Sequence, residues 1–490
     1  MKVTLDIPNA ALDPKGFTNV EIRFHEPTGD LVMTTAVGSD NAFDLGKLAT
    51  SNDAAVEAVL RNASGGAVGY GRTASPVSVA ADAEIVVPVR RPIVYIAGPH
   101  DEATMINTTK WKTNPATFVD LTTGGTTDGS SRLGSMASVM IGAGPDIYML
   151  EQPIADNGTS TGPAMVRKVS TGDHSIGAAL SPTIDVGDVQ DGTGSDDGRW
   201  LLVGTSQKLY LIDIVRAKMF EIASGDFAQI SVIASGESGM TAIAIKRSSP
   251  VVMCPSSNDL LYVTVGPNPD DQPVTMTIGT GGYSDVATDA GQAYYVDPCK
   301  AGGEFGSASS SGVKSLRTGL GRVTQLAISD GQAFAGLEMP PSQLAVLVFG
   351  TTTADAARTL WTDHIQQVAN AIDYDGVLRQ LVARTVSWNH LEVGAGGDYV
   401  VASVSATFEG AAVPDANFPK IDFATEELWI YDGATGGVVQ RYRSNCGGSI
   451  LSLPTDIQNW GCTTSPGQSA PATPTDEHRI VSLSVLFGKK

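Results

Sequence analysis

Basic residues are in short supply in this chain. Lys and Arg number 32 against 52 Asp and Glu, a net charge of −20. No basic run is longer than a pair. A polyanion would be repelled over most of such a surface, so nucleic acid is not expected as a partner. Aromatics make up only 6% of residues, and with abundant Gly, Thr, Ser, Asp, Ala and Val the mix suits short strands joined by tight turns and argues against a helical bundle. No apolar stretch approaches the roughly 18 residues of a spanning helix, so no membrane span is expected. Neither C-x-x-C nor H-E-x-x-H occurs, which removes the commonest linear zinc signatures.

The cysteines are few, Cys254, Cys299, Cys446 and Cys462. They fall into two sequence-near pairs, for which neighbour pairing is the most economical of three connectivities. Disulfides imply an oxidising compartment, whereas buried free thiols would not. A secretory leader is missing too, because Met1 and Lys2 run straight into a strand pattern. For an exported protein this is expected of a chain whose signal peptide has been removed. The alternative is a cytoplasmic protein with incidental cysteine pairs. We expect a secreted, periplasmic or cell-surface protein.

What the chain has in quantity is turn and strand material. Gly accounts for 54 of 490 residues and hydrophobic types for 42%. That length exceeds one ordinary core and implies two domains, or one large repeat domain. One short pattern recurs: apolar strand, tight polar turn, apolar strand. Residues 199–222, RWLLVGTSQKLYLIDIVRAKMFEI, give the clearest copy, 427–443 a second and 93–113 a weaker third. Repetition of a small antiparallel unit points to an architecture rather than a chemistry.

Residues 1–90 read as a separate β-sandwich. Val3, Leu5 and Ile7 alternate with polar residues, as do Val20, Ile22 and Phe24. Further strands are expected at 31–37, 55–60, 67–73 and 84–89, although 54–63 also reads as a helical turn. Such a sandwich resembles immunoglobulin-like and transthyretin-like accessory domains. From residue 91 to 490 the repeats take over, at 91–125, 132–171, 174–225, 229–281, 284–319, 322–361 and 383–445. The apolar strand at 479–488 ends the chain, where it would pair with the first unit and close a ring. The fold expected is all-β: a sandwich followed by a β-propeller of seven blades, with eight as the alternative. A helical insert is expected near 363–383, with Asp363 as its N-cap. The stretches 122–131, 301–312 and 463–477 read as mobile loops.

The segments LYLIDIVRAKMFEI and LWIYDGATGGVVQRY resemble the repeats of YVTN-type and quinoprotein-like β-propellers. The resemblance implies that Asp213 and Asp432 cap turns and that the following strand forms the outer edge of its blade. The vicinal disulfide and Trp docking motif of quinoprotein enzymes are missing, as are Kelch and WD40 signatures. This removes the resemblance's support for quinone chemistry.

The densest polar cluster is DVGDVQDGTGSDDGRW at 185–200, containing Asp185, Asp188, Asp191, Asp196 and Asp197. Calcium takes six to eight hard oxygens from flexible loops, and carboxylates alternating with Gly supply them. Neither EF-hand nor Asp-box spacing is matched, and a turn capped by its own aspartates is the competing reading. Asp270 and Asp271 read as a turn. Ser160 centres a G-x-S-x-G string without the strand-to-helix setting of a nucleophile elbow. Among the six histidines, His100, His174 and His390 lie near inferred strand or turn ends, where ligands from different blades would converge. No catalytic residue is assigned. These features favour binding of a protein or carbohydrate partner through propeller loops. A propeller enzyme of lyase, lactonase or glycosidase type is the first rival. A self-associating subunit of a surface or extracellular assembly is the second.

Overall fold

The computed structural model describes 36 strands and parts of the connections between them. The stretches of ten or more residues outside the described residues are 7–16, 108–117, 121–134, 365–379, 412–421 and 444–481. Eight strands make the N-terminal unit: β1 (Lys2–Asp6), β2 (Phe17–Glu26), β3 (Gly29–Ala36), β4 (Ala42–Asp44), β5 (Asp53–Asn62), β6 (Ala67–Arg72), β7 (Val77–Ser78) and β8 (Glu84–Pro88). One sheet has the order β4-β1-β8 and the other β3-β2-β5-β6, with β7 paired to β5. Val3, Leu5, Ile85 and Val87 of the first face Val20, Ile22, Phe24, Val56, Ala58 and Leu60 of the second in one core. The alternation at period two therefore marks the inward faces. The segment that also read as a helical turn is strand β5, because Val56, Ala58 and Leu60 bury only when every second residue points inward.

Seven four-stranded antiparallel sheets follow. Blade 1 contains β9 (Ile93–Ala97), β10 (Ala103–Asn107) and β11 (Phe118–Asp120). Blade 2 is β12 (Ser135–Ala143), β13 (Asp146–Ile154), β14 (Ala164–Val169) and β15 (Ile176–Ile184). Blade 3 is β16 (Val189–Gly194), β17 (Trp200–Thr205), β18 (Lys208–Asp213) and β19 (Lys218–Ser224). Blade 4 is β20 (Asp226–Gly236), β21 (Gly239–Arg247), β22 (Asn258–Val265) and β23 (Val274–Gly281). Blade 5 is β24 (Asp285–Asp289), β25 (Gln292–Asp297), β26 (Glu304–Ser309) and β27 (Gly312–Thr318). Blade 6 is β28 (Arg322–Ser329), β29 (Gln332–Met339), β30 (Gln343–Gly350) and β31 (Arg358–His364). Blade 7 is β32 (Gln380–Gly394), β33 (Tyr399–Ala411), β34 (Asp422–Asp432) and β35 (Val438–Arg443).

The last strand, β36 (Ser482–Val485), returns to pair with β9, Ser482 opposite Ala97 and Val485 opposite Val94. It supplies the innermost strand of blade 1. The inner strands β36, β12, β16, β20, β24, β28 and β32 each pack on the next, and β32 packs back on β36. This is a closed seven-bladed propeller, with the chain's final strand as its clasp.

The apolar cores lie between successive blades. Leu201 and Val203 of blade 3 pack on Ile141 and Leu150 of blade 2, while Trp200 and Leu202 pack on Ile230 and Ala242 of blade 4. Both faces of a middle strand are therefore covered. This explains why β17, WLLVGT, is buried at every position whereas the outer strand β19 is exposed or half-buried throughout.

Three expectations are corrected. The outer strand of blade 2 is β15, which the repeat reading had placed in the following unit; Pro182 and a run of small residues obscure its alternation. The ends of the expected helix are strand, since Asp363 pairs with Leu344 in β31 and Gln380 opens β32. Residues 365–379 lie outside the described residues. Finally, 301–312 is largely the strand β26, whose Phe305 is buried between Tyr294 and Phe349. Gly306 within it reflects crowding: a Cβ there would sit 2.4 Å from the Tyr295 ring. The stretches 122–131 and 463–477 lie outside the described residues.

Candidate interaction face and the polar belt of the ring

Four inner strands carry a bulge at the same level. Register shifts fall between Val189 and Asp191, Phe227 and Gln229, Val323 and Gln325, and Trp388 and His390. The residue after each bulge, Asp191, Gln229, Gln325 or His390, is polar. Asp285 of β24 fills the same role. A bulge re-aims one side chain along the strand, and at Asp191 it turns a carboxylate toward the neighbouring blade.

Two of these carboxylates have the same partners. Asp191 accepts hydrogen bonds from the N–H of Gly192 at 2.9 Å and of Ile230 in the next blade at 3.0 Å. Asp285 accepts from Val286 at 2.8 Å and from Leu326 of the next blade at 2.8 Å. Gln325, one methylene longer, leaves its Oε1 buried without a partner. Other side chains link blades 2 and 3, 4 and 5, and 6 and 7. Gln152 accepts from Val189 N–H at 2.7 Å, Thr288 donates to the Val232 carbonyl at 2.7 Å, and Glu338 accepts from Trp388 N–H at 3.3 Å. Burial pushes the Glu338 carboxyl up despite the neighbouring Arg322.

This geometry reassigns the aspartates that the sequence grouped in one loop. Asp191 lies within β16, buried and opposite Gly204 of β17. Asp188 precedes the strand and Asp197 follows it in the β16–β17 turn. They are separated by a six-residue strand about 20 Å long. Asp197 accepts from the Ser195 hydroxyl and from Arg199 N–H at 3.1 Å, capping its own turn. Asp185 and Asp196 lie outside the described residues. Among the described residues, no three His, Cys, Asp or Glu side chains are gathered as a metal would require. Asp191→Ala should therefore lower stability by about 1–3 kcal/mol, since two backbone donors lose their acceptor. The loss should be the same with calcium or with chelator in thermal melts; a calcium-dependent difference would show that Asp191 is a ligand.

Asp213 and Asp432 do cap turns. Asp213 accepts from Arg216 N–H and from the Arg199 and Arg216 guanidiniums, and Asp432 from the N–H groups of Ala434 and Thr435. In both cases the following strand, β19 or β35, is the outer edge. Asp297 repeats the device, accepting from the N–H groups of Cys299 and Lys300. Of His100, His174 and His390, only His390 is among the described residues; Ser160, Asp270, Cys254, Cys446 and Cys462 also lie outside them. Asp271 lies just before β23. Among the described residues no helix is long and apolar enough to cross a membrane.

The outer face of the sandwich's larger sheet is turned against the propeller. Glu57 and Val59 point away from the sandwich core yet are fully buried. Arg61 donates to Asp398, in the β32–β33 turn of blade 7, at 2.8 Å, and to Glu21 at 2.8 Å. Arg72 lies 4.0 Å from Asp289, at the β24–β25 turn of blade 5. Both propeller partners belong to turns joining an inner strand to the second strand. That face therefore holds the sandwich. The opposite face carries the turns between the second and third strands and those between blades, among them Gln207 and Lys300, both exposed.

Burial alone would raise the Glu21 carboxyl, but hydrogen bonds from Arg61 and Arg23 outweigh it and hold it below its ordinary value. A depressed carboxyl contributes stability that is present above the ordinary range and lost as pH falls through the folded value. Arg61→Ala should cost about 2 kcal/mol at neutral pH. The gap to the native chain should shrink below about pH 4, where carboxylates begin to protonate. Melting temperatures of both chains across pH check this; a gap that is constant with pH would contradict it.

Comparison with known proteins finds no matching family model and no matching curated protein. Among solved structures, the β-propeller domain of Cps50 (Swd1) from Myceliophteria thermophila is 13% identical, with TM-score 0.40, over 62% of this chain and 86% of that one. A structure of U3-55K is 9% identical, with TM-score 0.32, over 57% and 74%. The computationally designed Ika8 protein is 9% identical, with TM-score 0.33, over 64% and 88%. The fold rests on the ring of seven sheets described above.

Proposed function

We propose that this protein is an extracellular or cell-surface interaction module that binds a protein partner through the propeller face opposite the sandwich. The observation that carries this reading is the division of labour between the two faces. One holds the sandwich through Arg61–Asp398 and Arg72–Asp289, while the other presents turns on a rigid ring. Loops on a rigid scaffold are where recognition concentrates. The buried carboxylates Asp191 and Asp285 support the same reading, because both oxygens of each already accept backbone donors.

A photoreactive residue at Gln207 or Lys300 should give discrete adducts with a surface extract of the producing cells. One at Ala217, exposed on the sandwich-bearing side, should not. Equal labelling from both sides, or none, would contradict the proposal. Disulfides at Cys254–Cys299 and Cys446–Cys462 would support export, since such bridges persist in oxidising compartments. Intact mass should then rise by two hydrogens per bridge on reduction, and four alkylatable thiols in the native chain would remove this part of the reading.

A further inference from the structure

Among the described residues, the outermost strand of each blade has no strand paired along its outer edge, which makes it a template for pairing with another chain. Most of these edges carry protection. β19 has Lys218 and Glu221, β27 has Lys314 and Arg317, β31 has Arg358 and Asp363, and β35 has Arg441 and Arg443. β15 contains Pro182, and β11 is three residues ending in Asp120. β23, VTMTIGTG, has no charge and no proline within it. It also carries two of the few exposed large apolar side chains, Val274 at 64% and Met276 at 44%.

The sequence of β23 is complementary to itself. In antiparallel pairing centred on Met276, Met276 faces Met276 of a second strand, Val274 faces Ile278, and Thr275 faces Thr277. Over 274–278 every apolar residue then meets an apolar one and Thr275 meets Thr277, the cross-strand matches that stabilise antiparallel pairs. A chain of net charge −20 repels its own copies over most of its surface. An uncharged edge is where two copies approach at least electrostatic cost.

We propose that the protein forms a two-fold dimer by antiparallel pairing of β23 with β23 of a second copy, centred on Met276. Pairing of this kind is isologous and closes at two chains. It involves the rim of the ring and is independent of the partner-binding face.

The test is sedimentation of the full chain from about 1 to 100 μM, the range in which a modest interface associates. A concentration-dependent dimer is expected. Met276→Lys should weaken it at least tenfold by bringing two ammonium groups together at the centre, while Val215→Lys, in the exposed β18–β19 turn, leaves it unchanged. Because Met276 is on the surface, the melting temperature should hold. Independently, Met276→Cys should oxidise to a linked dimer, whereas Val274→Cys and Val215→Cys should not. A native chain that stays monomeric throughout would overturn the proposal. So would a dimer unaffected by Met276→Lys, or equal cross-linking from position 274.

Discussion

Removing residues 479–490 should open the ring. β36 is the innermost strand of blade 1, and its four residues pair in register with β9. It also packs on β12 and β32, the inner strands on either side. Without it blade 1 keeps three strands, and the inner circle has a gap between blades 7 and 2. Backbone hydrogen bonds contribute about 1 kcal/mol each, and the apolar surface covered on both flanks adds more, so a loss of about 5 kcal/mol or more is expected. The loss should not be uniform. Hydrogen exchange should accelerate first in β9 and β10 and in the neighbouring inner strands β12 and β32, while blades 3 to 5 retain protection. Uniform protection in the truncated chain would mean that the ring does not depend on its clasp.

The second large effect is expected at the junction of blades 6 and 7. Trp429 is fully buried there among Trp361, Trp388 and Tyr431. Its ring lies 5.5 Å from Trp361 and 6.2 Å from Trp388, both edge-to-face, and Trp361 stacks on Tyr431 at 4.0 Å. A chain with only 6% aromatics thus concentrates three of its six tryptophans at one seam. Trp429→Ala should cost about 3–5 kcal/mol through lost transfer energy and the cavity left behind. Trp429→Phe should recover part of that. Chemical denaturation with unchanged slope would register the loss, and an effect below about 1 kcal/mol would mean the seam can collapse around the cavity.

Much of the architecture is legible in the sequence because propeller strands have simple local rules. The middle strands of a blade are apolar on both faces, and their turns are capped by an aspartate. The segment 199–222 therefore reads directly as β17, β18 and β19. The segment 479–488 stands out because it is an apolar run outside the seven repeat units. The boundary of blade 2 was lost because β15 lacks alternation. Apolar spacing near 365–381 follows a helical period. Only pairing of Gln380 with Ala411 and of Val382 with Glu409 settles its end as strand.

The functional layer is harder to read for a different reason. The five aspartates at 185–197 look like one cluster because they are near in sequence, yet a strand separates the described members. The polar belt is the reverse case. Asp191, Asp285 and His390 occupy one level of the ring but are far apart in the chain. Arg61 and Asp398, which tie the sandwich to blade 7, lie 337 residues apart. Nothing local announces such a pair. The open edge of β23 is equally silent, since its neutrality matters only once sheet order shows it to be outermost.

The central claim is that the end of the chain clasps its first blade to close seven sheets into a ring. In β36, Ser484 lies directly opposite Tyr95 of β9. The double variant Tyr95→Cys with Ser484→Cys tests this most directly, by peptide mapping after mild oxidation. A 95–484 disulfide in a monomeric chain, together with a raised melting temperature, is the expected result. Absence of that bridge, or one formed only between chains, would contradict the closed ring.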